Sequence, residues 1–197
     1  MNLDAQPGAQ RGRPVCGASC PQSGRRLTSS FGGTHISATA PSKASVSIER
    51  IFIRPPGGNP TVEHKSVSVV AGAGIEGDRY FDAHDEPGQN VTFVEAEAIE
   101  AFAQEHRRPV DLFATGRNVV TRGVRLNELV GREFVVGSVR FRGVELCEPC
   151  LTLGEALASP TLSPARVVKH WLHRGGLRAD ALTSGELSVG AGFKSAA

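Results

Sequence analysis

Three things are scarce in this sequence: long hydrophobic runs, net charge and cysteine. No apolar stretch approaches the ~20 residues that a membrane-spanning helix requires, so we expect no membrane association. The net charge of +2 is too small to indicate a nucleic-acid partner. Four cysteines in a chain of 197 residues do not make a disulfide framework, which indicates a reducing compartment and a cytoplasmic protein. The remaining composition, with 40% hydrophobic and 21% charged residues, is typical of one globular domain with or without a tail.

Residues 1–45 differ in composition from the rest of the chain. They are rich in Ser, Gly, Ala, Pro and Arg, they show almost no periodicity, and Asp4 is their only acidic residue. We therefore expect a disordered N-terminal extension, followed by a folded domain over residues 46–193. The composition also resembles that of a transit peptide, but prolines and glycines would interrupt an amphipathic helix, so organelle targeting stays open. Cys16 and Cys20 lie here, and a zinc site joining them to a later cysteine pair would require both halves to be ordered.

Beyond residue 45 the pattern becomes that of a β-rich domain. Short apolar stretches bounded by turn residues predict strands at 46–53, 67–70, 89–94, 115–121, 134–136, 139–146, 177–182 and 186–189. Two hairpins are expected, one around Gly137-Ser138 and one around Ser184-Gly185. Helices are predicted at 95–106, at 151–158 and from Pro164 to the glycines at 175–176. With no βαβ alternation in this order, the sequence predicts a mostly β fold with attached helices, either a barrel or a sandwich.

The segment Val139 to Leu153 carries the most chemistry. Its first half alternates apolar and charged residues, with Gly143 interrupting the period as a bulge would, and Pro149 ends the strand. Cys150 is then expected at a strand end near the N-terminus of a short helix, which favours a thiolate. A thiolate attacks electrophiles, carries sulfur or ligates a soft metal. Alternatively, both Cys147 and Cys150 are small buried hydrophobes, which we expect more for Cys147; a thioredoxin-like pair would need a βαβ setting.

Two further segments hold polar residues beside glycines. Residues 71–82 read AGAGIEGDRYFD, a glycine-rich loop that contains Asp78 and Arg79. No helix pattern follows it, so it matches neither a Walker loop nor a dinucleotide fingerprint, and a plain polar loop between strands is the alternative. Arg117 and Asn118 enter a strand directly after a glycine turn.

Four motifs in order resemble the MOSC domain, which is found at the C-terminus of molybdenum cofactor sulfurases and alone in small bacterial proteins. They are GIEGDRYF (74–81), GRNVVTRGVRLNELVG (116–131), ELCEPC (145–150) and HRGGLRADALTSGELSVG (173–190). The resemblance covers roughly residues 46–193. Two departures are a Val in the Arg-Asn-Val-Val segment and Ala191, where most members of the family have Asp.

The resemblance implies a MOSC-type β-barrel and a site for the molybdenum-pterin cofactor. Cys150 is then the functional cysteine, whose thiolate ligates molybdenum. Arg117 lies near the cofactor, and Asn118, Asp78, Arg79 and Arg174 are the other candidate cofactor-binding residues, because a pterin phosphate needs Arg donors or backbone N–H groups. The chain lacks the desulfurase domain of the full sulfurases, so we expect no pyridoxal phosphate.

Three functions stay open at this point. The first is a molybdenum-cofactor oxidoreductase that reduces N-hydroxylated small molecules, as relatives do, with electrons from a donor protein. The second is a sulfur carrier that holds a persulfide on Cys150, loaded by a sulfur-donating desulfurase, for delivery to a metal centre. The third is a binding module without turnover.

Overall fold

The computed structural model describes residues 46–58 and 60–195, and these form a mostly β domain with helices attached. The predicted extension over residues 1–45, with Cys16 and Cys20, lies outside the described residues. The strands are β1 (Ser47–Ile53), β2 (Val62–His64), β3 (Ser66–Val70), β4 (Gly74–Ile75), β5 (Val91–Glu95), β6 (Val119–Arg122), β7 (Glu133–Val136), β8 (Val139–Leu146), β9 (Leu177–Ala181), β10 (Gly185–Ser188) and β11 (Phe193–Ser195). The helices are α1 (Ala96–Glu105), α2 (Leu151–Ala156) and α3 (Pro164–Trp171), with a 3₁₀ turn at Leu126–Leu129. No helix in this part of the chain is long and apolar enough to cross a membrane.

The strands form two sheets. The larger has the order β11-β7-β8-β9-β5-β6-β1-β2 and curls into a half-barrel, and the smaller has the order β10-β3-β4. The predicted hairpin of β7 and β8 is confirmed by antiparallel pairing of Val136 with Val139. The predicted bulge in β8 is confirmed by a register shift between Gly143 and Glu145 in its pairing with β9. The mostly β fold class with attached helices is therefore correct.

The predicted final hairpin is wrong, because β9 and β10 belong to different sheets. β9 pairs with β5 and β8, whereas β10 pairs with β3. β9 buries Leu177, Ala179 and Ala181 in or beside the cores of the large sheet, whereas β10 buries only Leu187. The pairing of two strands that follow each other in sequence was therefore not the one the fold uses.

The prediction that no βαβ unit occurs is also wrong. β5 and β6 pair in parallel, with Phe93 opposite Val119, and α1 forms the crossover between them. Both strands are largely buried on their two faces, but each is only four or five residues long. A short apolar run is consistent with any fully buried strand, so the pattern did not identify the parallel pair. The cysteine pair lies outside this unit.

Two hydrophobic cores lie on opposite faces of the large sheet. The first is centred on Phe93, Phe134 and Phe141, whose ring centroids are 5.3 to 5.7 Å apart. The second packs the three helices against the sheet around Phe102 and Trp171. Full burial of each such side chain contributes about 1.5–3 kcal/mol, so the two cores together fix the sheet and the segments that leave its edges.

Candidate functional site

The cysteine segment leaves the sheet where β8 ends and turns into α2. Cys147 is buried at 4% exposure, and its backbone N–H donates to Gly176 O at 2.8 Å. Cys150 is exposed and stands at the N-cap position of α2. The predicted placement of Cys150, at the junction of a strand end and a short helix, is therefore confirmed.

The pKa values of the two thiols are shifted in opposite directions. The nearby backbone N–H of Leu153 has the largest influence on the pKa of Cys150 and lowers it. The thiol does not cap α2 with a side-chain hydrogen bond, so the effect is that of a nearby donor. The hydroxyl and N–H of Thr152 and the charge of Arg117 lower it further. Burial instead raises the pKa of Cys147. Cys150 is therefore the more acidic and the more accessible of the two thiols.

A cleft of about 570 Å³ opens beside Cys150. Its walls carry four arginines that come from distant parts of the chain, Arg54, Arg79, Arg117 and Arg178. The same arginines line an adjoining cleft of about 400 Å³. Burial, and then the charges of Arg79 and Arg117, lower the pKa of Arg54. Such crowding of cations is relieved by a bound anion, so the cleft suits a phosphate or another multiply charged group.

Each arginine of the cleft is positioned by a specific contact. The Arg54 side chain crosses Gly116, where a Cβ would lie 2.7 Å from its Nη2. Arg117 donates from Nε to Gly175 O at 2.9 Å. Arg79 stacks on Tyr80, with its Cζ 4.5 Å from the ring centroid. These contacts leave guanidinium N–H groups for a ligand, since each guanidinium has five donors.

Arg178 differs because carboxylates already hold it. Its Nη1 lies 2.6 Å from Glu86 Oε2 and 3.0 Å from Glu145 Oε1. The two carboxylates therefore balance its charge, and part of its donor capacity is used.

Asp78 and Asn118 lie at the base of the adjoining cleft, and protein groups already occupy their side-chain atoms. Asp78 is 3% exposed and accepts hydrogen bonds from Arg54 N at 3.0 Å, Tyr80 N at 3.1 Å and Asn118 Nδ2 at 2.9 Å. Asn118 Oδ1 accepts from Thr92 N and Thr92 Oγ1. These bonds tie the glycine-rich loop to β1 and β6 and so set the positions of Arg54 and Arg79. Direct cofactor binding by Asp78 or Asn118 stays a prediction.

The structure does not bring Arg174 to the arginine cleft. It lines a separate cleft together with Glu95, Asn127 and Gly176. Its neighbour His173 contacts the cysteine segment instead, with Nδ1 3.0 Å from Glu148 Oε1.

The adjacent glycines 175 and 176 allow the backbone to approach the cysteine segment closely. A Cβ on Gly175 would lie 1.9 Å from Cys147 O. Gly176 has φ +105°, and a Cβ there would lie 1.9 Å from Phe93 O. No other residue fits either position without movement of backbone. The pair therefore fixes both Cys147 and the Gly175 carbonyl that orients Arg117.

Sequence reasoning missed Arg54 and Arg178 as site residues. Arg54 follows β1 directly before Pro55-Pro56-Gly57-Gly58, and Arg178 lies within β9, two residues after Gly176. Both positions also suit an ordinary surface side chain at a strand end, so the local sequence did not single them out.

Comparison with known proteins gives a family and a fold. The model of the MOSC domain matches residues 81–194, more than half of the chain. The YuaD protein from Bacillus subtilis is similar with a TM-score of 0.65 at 20% identity, over 76% of this chain and 94% of that chain. YiiM from Geobacillus stearothermophilus is similar with a TM-score of 0.58 at 17% identity, over 77% of this chain and 75% of that one. YiiM from Escherichia coli gives 0.57 at 18% identity, over 78% and 70%. No curated protein matches the sequence significantly.

Proposed function

The chain belongs to the MOSC domain family, and we propose that it binds the molybdenum-pterin cofactor and reduces N-hydroxylated small molecules. One observation carries the proposal: the exposed thiol of Cys150, whose pKa is lowered, borders a cleft lined by four arginines. A soft metal takes a thiolate ligand, and a phosphate takes guanidinium donors. The cleft offers both kinds of group side by side.

The residues present fit this cofactor on chemical grounds. Arg54, Arg79 and Arg117 retain free donors, and the lowered pKa of Arg54 reflects burial and cation crowding that a phosphate would relieve. Cys150 would ligate the metal, because its sulfur is exposed and ionises readily. When bound, the cofactor supplies a centre that accepts and donates electrons. The protein supplies the orientation of that cofactor and a positive potential that attracts anions.

The reduction also requires protons and a source of electrons. Conversion of R–NH–OH to R–NH₂ and water consumes two electrons and two protons. Glu148 lines the cleft beside Cys150, and its Oε1 lies 3.0 Å from His173 Nδ1, so a carboxyl group and an imidazole, the usual proton-transfer side chains of enzymes, stand at the site. The electrons come from a separate donor protein in this proposal.

The proposal is tested on the full chain made in a host that synthesises the cofactor. We expect about one molybdenum and one pterin per chain, and reduction of an N-hydroxylated base or amidine with an artificial electron donor. Cys150→Ala should lose molybdenum and activity, whereas Cys147→Ser, at a thiol that does not ionise readily, should retain both. Metal-free and pterin-free wild-type protein would contradict the proposal.

A sulfur carrier is the second candidate, and the exposure of Cys150 favours it. The Cys150 thiolate would attack the terminal sulfur of a persulfide on a donor desulfurase. The donor's S–S bond breaks, the donor leaves as a thiolate, and Cys150 keeps a persulfide.

Mass spectrometry separates the two candidates. A carrier predicts little molybdenum and a mass increase of one sulfur on Cys150 that a thiol reductant removes. The two candidates predict different results because a Cys150 sulfur bound to a metal is not free to carry a second sulfur atom. Protein with neither cofactor nor persulfide would contradict both and leave a binding module.

A further inference from the structure

A second cluster of metal-ligating side chains lies where the ends of α1 and α3 meet. It consists of Glu105, the last residue of α1, His106, its C-cap, and His170 of α3. Their ligand atoms all lie within 4.8 Å of one another. Glu105 Oε2 is 3.1 Å from His170 Nδ1, and Glu105 Oε1 is 3.8 Å from His106 Nε2. None of the three lines the arginine cleft.

The imidazoles in this cluster are buried and incompletely bonded. The His170 side chain is 5% exposed and that of His106 is 14% exposed. The Nε2 atoms of both rings are buried and have no hydrogen-bond partner among the residues that the structure describes. Buried polar atoms are almost always satisfied, and an exception calls for a missing water or ion. The exception that faces Glu105 is His106 Nε2, whereas the His170 atom that faces Glu105 is Nδ1.

Aromatic packing holds both rings in place. Their centroids lie 5.4 Å apart, and Phe102 contacts each of them, with centroid distances of 4.6 Å to His106 and 5.0 Å to His170. Two imidazoles are thus fixed in advance on elements far apart in sequence, which reduces the ordering that a ligand would require.

We propose that Glu105, His106 and His170 form a site for a divalent transition metal of the zinc class. Two imidazoles and one carboxylate are a ligand set that zinc accepts, with a fourth position left for water. Tetrahedral bonds of ~2.1 Å place ligand atoms roughly 3.4 Å apart. Glu105 Oε2 lies 3.1 Å from His170 Nδ1 and Glu105 Oε1 lies 3.8 Å from His106 Nε2, near that spacing. All three ligand atoms lie within 4.8 Å of one another, so the side chains need only small movements to close around an ion. An all-oxygen site for magnesium or calcium is disfavoured because imidazole is too soft a ligand for either.

A bound ion would join α1 to α3, because Glu105 and His106 end the first helix and His170 belongs to the other. α3 in turn packs on α2, where a Cβ on Gly154 would lie 3.0 Å from Pro164 O. The site is thus structural in character and separate from the chemistry proposed for Cys150.

Zinc and cobalt(II) titrations of the purified full chain test the proposal. We expect one ion bound per chain, and a rise in Tm of roughly 5–10 °C when zinc is present at 100 times its Kd. Cobalt should give the weak absorption bands of a nitrogen and oxygen site without the intense charge-transfer band of a cobalt–thiolate bond. His106→Gln and Glu105→Gln should each lose this binding, and Glu105 is exposed, so its variant should fold normally.

Two control variants make the outcome decisive. His84→Gln alters an exposed histidine that lies 3.1 Å from the carboxylate of Asp82 and resembles the cluster without its second imidazole, so binding should persist. Cys150→Ser should also retain binding. The proposal is overturned if the wild type binds no ion, if binding survives both His106→Gln and Glu105→Gln, or if Cys150→Ser removes it together with a thiolate band.

Discussion

Cys147 and Cys150 occupy very different environments, and the sequence pattern predicted this difference. Pro149 cannot continue a strand, so the chain turns between Cys147 and Cys150. Cys147 directly follows the end of β8, where Gly176 O accepts its N–H. Cys150 reaches solvent beside Arg117 and Thr152. The expectation that Cys147 is the buried residue of the pair is confirmed.

Alkylation should therefore distinguish the two thiols. At neutral pH we expect iodoacetamide to label Cys150 well before Cys147, because only the thiolate reacts and the pKa of Cys150 is lowered. The rate at Cys150 should rise with pH and reach half of its maximum at a lower pH in the folded protein than in the unfolded chain. Peptide mapping by mass spectrometry assigns each site, and Cys150→Ser removes the rapid label. Faster labelling of Cys147 in folded protein would contradict the assignment.

The hydrogen-bonding geometry of Arg117 can be tested separately from its positive charge. Arg117→Lys keeps the cation but loses the planar fork and the Nε bond to Gly175 O. If the cleft holds a cofactor phosphate, we expect retention to weaken by about 10- to 100-fold, from the ~1.5–3 kcal/mol of a charged hydrogen bond.

Arg174→Lys is the matched control, because Arg174 lines a different cleft. Cofactor content after gel filtration is the measurement. Equal retention in both variants would remove Arg117 from the phosphate site.

At the scale of elements, features with a local sequence signal were predicted correctly, whereas the pairing of strands distant in sequence was not. β8 was predictable because its alternation and Gly143 lie within one stretch, and a Cβ at Gly143 would indeed lie 2.2 Å from Leu129 O. β2 was not predicted, since it is three residues long and leaves Val62 exposed. The partners of β9 and β10 and the parallel pair of β5 and β6 depend on residues distant in sequence, which periodicity does not encode.

The same division applies to the candidate site. Cys150 follows Pro149 and Arg117 follows Gly116, and these turn-forming residues made both positions identifiable from the sequence. Arg54, directly after β1, and Arg178, near the start of β9, reach the same cleft through the strand order β9-β5-β6-β1, which joins distant parts of the chain. Asp78 was visible as a polar residue in a glycine loop, but its oxygens accept bonds from the protein itself.

A single methyl group tests how tightly the elements around Cys147 meet. Gly175→Ala should destabilise the protein by about 2–4 kcal/mol, because its Cβ would lie 1.9 Å from Cys147 O and backbone must shift. Gly192→Ala is the control, since the nearest atom to its Cβ would be 3.6 Å away. Urea unfolding measures both. A Gly175→Ala variant as stable as Gly192→Ala would mean that the segment around Cys147 moves easily.

At the scale of the whole domain, three strands serve both hydrophobic cores. β1 sends Ile51 to the core of the half-barrel and Phe52 to the helical side. In the same way, Phe93 of β5 and Val119 of β6 lie in the half-barrel core, and their neighbours Val94 and Val120 lie in the helical core. Because adjacent residues of one strand belong to different cores, loss of either core disturbs the backbone that supports the other.

We therefore expect the helical layer and the sheet to unfold in one transition. Trp171 is the only tryptophan of the chain and lies fully buried in the helical core, so its fluorescence reports that layer alone. Far-UV circular dichroism reports the sheet and helices together, and the two urea curves should coincide. Ile99→Val, in the helical core, and Ile51→Val, in the other, should each cost about 0.5–1.5 kcal/mol and shift both curves equally. A fluorescence transition at lower urea than the dichroism transition would show instead that the helices detach first, and would place the Cys150 segment on the less stable part of the molecule.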